Sequence, residues 1–180
     1  VAAGYHTAVL TYSVGEGARN YQPLRQLSAA LALLREHAEA WGVLPEQIAV
    51  CGFSAGGHLA LSGAVLDLPG GAAAAQQRPN AVLLAYPVVT AGEHAHRGSF
   101  VRLSGSEDPA GHQRLTLEDS ITPARSAAEE PGPLRVHLFE KGVHGTSIST
   151  AEVDAASAHR AHWVQLAVEW LNDTFDFHLA

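Results

Sequence analysis

Short apolar runs alternate along this chain with longer stretches whose apolar residues recur at helical spacing. His6 to Tyr12 (HTAVLTY) is short, apolar and β-branched, which predicts a buried strand. Leu24, Leu27, Leu31, Leu34, Ala38 and Trp41 follow at intervals of three and four, with Pro23 near the start and Gly42 just past the end. That pattern predicts an amphipathic helix. Ile48 to Cys51 reads as a brief buried strand, and Ala55 to Leu66 as a helix. Pro69 to Pro79 (PGGAAAAQQRP) has the low complexity of a surface loop. Ala81 to Tyr86 predicts another strand, stopped by Pro87, and Leu134 to Phe139 a further one. Trp163, Leu166, Ala167, Trp170 and Leu171 mark a C-terminal amphipathic helix. Strands alternating with helices predict an α/β fold, a parallel sheet with helices on both faces, as a single domain over 1–180.

Composition narrows the function classes. With 47% hydrophobic and 16% charged residues in 180, the chain can bury a core and is not of the disordered type. The net charge of −7 argues against nucleic acid or an anionic membrane as the main partner. One cysteine, Cys51, excludes an intrachain disulfide and suits a cytoplasmic setting. There is no Met, no basic leader before an apolar stretch, and no apolar run of the roughly 18 residues a membrane span requires.

The chemistry centres on Gly52-Phe53-Ser54-Ala55-Gly56, a G-x-S-x-G motif. It follows the apolar run Ile48 to Cys51 and opens a helix. A strand-to-helix turn that sharp strains its central residue, and flanking glycines let the backbone pass without Cβ clashes. The serine hydroxyl is then left proud of the sheet edge as a nucleophile. The Ala55 amide, at a helix start, can donate to a developing oxyanion. The competing reading is an ordinary serine in a Gly-rich turn. A serine nucleophile needs a base, and His144 lies in Lys141-Gly142-Val143-His144-Gly145, just after the strand that ends at Phe139. Its competing reading is one of 11 histidines falling in a loop by chance. His94 and His96 beside Glu93 could hold a metal, but no fourth ligand follows at diagnostic spacing, so no metal is expected. His58 reads as a packed or hydrogen-bonded helix residue rather than a catalyst, and His159 and His162 as surface residues.

These segments together resemble the bacterial acetyl-esterase and feruloyl-esterase-like branch of the α/β-hydrolases. The resemblance is carried by Gly42-Val43, Ile48 through Ala60, Tyr86-Pro87, Ala95 through Phe100 and Phe139 through Gly145. The opening Ala2 to Tyr5 and Tyr12-Ser13-Val14 share it. It implies hydrolysis of short acyl esters, acetyl groups on plant polysaccharides among them, without a cofactor. The substrate would be a small-molecule or carbohydrate ester. Family members carry further strands and a His-Gly-Gly oxyanion loop before the strand at His6, and an Asp-bearing strand before the one at Leu134. This chain matches neither, so the resemblance implies a shortened domain in which the triad acid and half the oxyanion hole have no usual counterpart. Glu93, after the strand Ala81 to Tyr86, is the first candidate for the acid, because some members place it there. Glu140, Glu118 and Asp119 are weaker candidates. For all four the competing reading is a solvated surface carboxylate.

Unpaired backbone inside a sheet costs roughly 1–3 kcal/mol per group. The strands are therefore expected to close up in the order His6, Ile48, Ala81, Leu134, or to be completed by a second copy. Exposed edges favour association, so a homo-oligomer is expected. Two rival functions are a catalytically impaired structural remnant of such an esterase and a serine peptidase of related fold.

Overall fold

The computed structural model describes residues 3–66, 77–87, 137, 145 and 158–177. The chain divides into a larger unit, Val9–Gly132, and a smaller one combining Val1–Ala8 with Pro133–Ala180. The described elements of the larger unit are a 3-10 turn at Gly15–Ala18, then α1 (Gln22–Glu36), α2 (Ala38–Trp41), β1 (Ala49–Phe53), α3 (Ala55–Val65) and β2 (Ala81–Ala85). The smaller unit contributes α4 (Ala158–Phe175).

The expected helix of Leu24 to Trp41 is present but broken. His37, at φ −103° and ψ 15°, separates α1 from α2. Pro23 sits in the first turn of α1, where its missing N–H has no intrahelical acceptor to lose. Gly42 ends α2 in the left-handed conformation (φ 65°), and the Val43 N–H then reaches back to the Ala38 carbonyl at 2.8 Å. Leu24, Leu27 and Leu31, on one face of α1, form the buried core with Ile48 and Leu59. A Cβ on Gly63 of α3 would lie 2.6 Å from Leu27 Cδ2, so the two helices touch through a residue without a side chain.

β1 and β2 pair in parallel, with Ala49 opposite Ala81 and Phe53 opposite Ala85. This is the adjacency expected of the Ile48 and Ala81 strands. A clamp starts the pair in register. The Asn80 carboxamide oxygen accepts from the Ile48 N–H at 3.1 Å and from Arg35 Nη2 at 2.8 Å, and the Asn80 N–H donates to the Ile48 carbonyl at 2.8 Å. β1 runs two residues past the expected Cys51, so the first half of the serine motif is strand. It is less buried than its apolar run suggested. Val50 packs against the core and Gly52 is buried, while Cys51, on the opposite face, is exposed.

One expectation is corrected here. His6 to Tyr12 is not a strand and joins no ladder. Leu10 and Tyr12 pack against the core while Val9 is 90% exposed. A short apolar run serves one-sided packing as readily as a sheet, and without a paired neighbour the segment does not become a strand. The position of His6 in the expected strand order falls with it. The Leu134 strand lies outside the described residues.

In the smaller unit, Leu171 of α4 is buried, Trp163, Leu166, Ala167 and Trp170 are half-buried, and His162 is exposed, in keeping with its reading as a surface residue. The Tyr5 hydroxyl donates to Asn172 Oδ1 at 2.7 Å, and its ring meets Phe177 at 5.3 Å. Desolvation raises the Tyr5 phenol above its ordinary value. Among the described residues no helix is long and apolar enough to cross a membrane.

Candidate active site

Ser54 stands between β1 and α3 at φ 50° and ψ −116°. A serine Cβ is disfavoured there, and holding it costs of order 1–3 kcal/mol unless the surroundings enforce it. They do so from three directions. The Ser54 N–H donates to the Ala85 carbonyl at the end of β2 (3.1 Å). The Ser54 carbonyl accepts the first intrahelical bond of α3, from the His58 N–H at 3.1 Å. The Gly52 backbone lies directly against the first turn of α3. A Cβ on Gly52 would come within 2.2 Å of the Gly56 oxygen and 2.7 Å of the Gly57 nitrogen. A serine preceding a helix usually caps it through its side chain, but this one makes no capping bond.

The glycines divide their work differently from the motif's wording. Gly52 is sterically obligatory. Gly56 is not, since its Cβ would meet only the Tyr12 hydroxyl, at 3.8 Å. The second tight position is Gly57, outside the motif, whose Cβ would fall 2.9 Å from that of Pro87 and 3.1 Å from the Gly52 oxygen. Tyr86, before that proline, has φ 38°, and its ring lies 5.9 Å from Phe53. The end of β2 therefore supports the elbow directly. The Gly56-Gly57 doublet and the Tyr86-Pro87 pair were its signals in the sequence. Replacing Gly52 by Ala should destabilise the chain by about 3 kcal/mol, because the obstacle is backbone rather than a movable side chain. Thermal unfolding checks this. A Tm lowered by roughly 6–12 °C is expected, and a Tm within about 2 °C of the parent would contradict it.

Since the ladder of α3 begins at His58, the amides of Ala55, Gly56 and Gly57 have no acceptor within the helix. Ala55 therefore presents its N–H at the positive end of an 11-residue helix, beside Ser54, as an oxyanion donor requires. Desolvation around the thiol of Cys51 raises its pKa above the ordinary value. His58 is 3% exposed, as its reading as a packed residue requires, and with Tyr21 and Ser62 it lines a cavity of about 20 Å³.

The structure thus brings Ser54 and Ala55 together. His144 and Glu93 lie outside the described residues, as do Glu118, Asp119, Glu140, His94 and His96. Gly145, next to His144, is described in a turn at φ 88°.

The family model BD-FAE matches residues 1–70, the stretch that contains the elbow. The crystal structure of MGS-M1, an α/β hydrolase enzyme from a Medee basin deep-sea metagenome library, is 30% identical. The likeness covers 92% of this chain and 70% of that one, with a TM-score of 0.64. This chain belongs to the α/β-hydrolases. The acetyl ester-xyloside bifunctional hydrolase of Caldicellulosiruptor lactoaceticus is another structural relative of this α/β-hydrolase, at 25% identity and a TM-score of 0.69, over 93% of this chain and 71% of that one. Among curated proteins, an acetylxylan esterase of Xylanibacter ruminicola is 29% identical over 100 residues, 55% of this chain and 19% of its own length. The chain spans a quarter or less of the length of the curated relatives it matches. Its relatives are hydrolases and esterases, and the expected α/β fold and esterase-like resemblance hold.

Proposed function

We propose that this α/β-hydrolase is a serine carboxylesterase that removes short acyl groups, acetyl in particular, from small-molecule or carbohydrate esters. The observation that carries the reading is Ser54 at φ 50°, held by strand, helix and glycine packing in a conformation that serine does not adopt unaided. Ser54 Oγ attacks the ester carbonyl carbon while His144 takes its proton. The carbonyl oxygen becomes an oxyanion, and the Ala55 amide donates to it. The intermediate collapses, the C–O bond to the alcohol breaks, and the proton passes from His144 to the departing alkoxide. Water, deprotonated by the same histidine, then frees the acid from the acyl-serine. Glu93 is the first candidate to orient His144. The acetyl preference draws on the acetylxylan esterase and the acetyl ester-xyloside hydrolase among the relatives.

The test is pre-steady-state hydrolysis of p-nitrophenyl acetate. A burst of nitrophenol close to one equivalent per chain, followed by slower turnover, is expected. The matching anilide should be cleaved far more slowly. Anilide cleavage at a comparable rate would favour a peptidase, and neither burst nor turnover would favour the inactive remnant.

A further inference from the structure

Ala55 supplies one oxyanion donor, and such holes are built from more than one. Tyr12 is the residue placed to supply another. Its ring packs half-buried against the core of Leu24, Leu27, Leu31, Ile48 and Leu59. The next residue is fixed by two bonds to α1. The Ser13 N–H donates to Gln26 Oε1 at 2.8 Å, and Gln26 Nε2 donates to Ser13 Oγ at 2.9 Å. From that anchored position the phenolic oxygen reaches the first turn of α3, 3.8 Å from where a Cβ on Gly56 would stand. Gly56 directly follows Ala55, so the hydroxyl lies against the helical turn that opens with the amide donor. No hydrogen bond of the Tyr12 hydroxyl occurs among the described residues. A phenol O–H that no described residue accepts from is available to a ligand oxygen.

We infer that Tyr12 is a second oxyanion donor, its O–H bonding to the tetrahedral oxyanion formed when Ser54 attacks an ester. The inference rests on the esterase reading above. No covalent bond to Tyr12 forms, and its proton stays on the phenol. Losing one such donor costs about 10²- to 10³-fold in kcat with little change in KM. Tyr12→Phe should show that split on p-nitrophenyl acetate, with an unchanged circular dichroism spectrum. A merely structural tyrosine would not alter the preference for tetrahedral geometry, so a short alkyl boronic acid is the second probe. Its inhibition constant should rise by about 10-fold or more in Tyr12→Phe, while a non-reacting substrate analogue binds as before. Activity and boronate affinity both within threefold of the parent would overturn the inference. So would boronate and substrate analogue weakening in parallel, or a Tyr12→Phe chain that does not fold, since the tyrosine would then be structural. An inactive parent chain is a different failure: it removes the esterase reading itself, and the role of Tyr12 with it.

Discussion

Ser54→Ala should lower kcat for p-nitrophenyl acetate by about four or more orders of magnitude and abolish the burst, because no other group takes over as acyl carrier. The same position carries a stability effect that separates strain from chemistry. At φ 50° and ψ −116° the serine side chain is a steric liability, whereas glycine occupies that region freely. Ser54→Gly should therefore be as inactive as Ser54→Ala yet more stable than it, by about 1 kcal/mol after the greater backbone entropy of glycine is allowed for. Denaturant unfolding of the two variants checks this. A Ser54→Gly chain less stable than Ser54→Ala would show that the surroundings do not store strain at the elbow.

His144→Ala should cost about three or more orders of magnitude in kcat, since an unassisted serine hydroxyl is a poor nucleophile. The burst amplitude should vanish on the time scale of the parent. Glu93→Gln should cost less, because an orienting carboxylate acts through the imidazole. A fall of only a few-fold in His144→Ala would remove His144 as the base. A neutral Glu93→Gln would leave the position of the acid open to another carboxylate.

The elbow was legible in the sequence because its determinants are local. Five consecutive residues, the strand before them and the helix after them mark Ser54 in the sequence, although the Ala85 carbonyl and Pro87 at the end of β2 also hold it in place. The pairing of the strands at Ile48 and Ala81 was legible for a similar reason, as successive apolar runs joined by a helix. The segment His6 to Tyr12 departs from the expected strand because a short apolar, β-branched run reports side chains suited to burial, not whether a neighbouring strand exists. Leu10 and Tyr12 satisfy the pattern by packing on a helical core. The break at His37 was invisible because the apolar spacing continues in phase from α1 into α2. Gly57 against Pro87 and Tyr12 against Gly56 join residues 30 or more positions apart, which no spacing rule connects.

The most direct test of Ser54 as the nucleophile is active-site labelling of the full chain with a fluorophosphonate, followed by peptide mapping. Stoichiometric modification on Ser54, absent from Ser54→Ala, is the expected result. A label on any other residue, or none on a chain that still hydrolyses the ester, would contradict it.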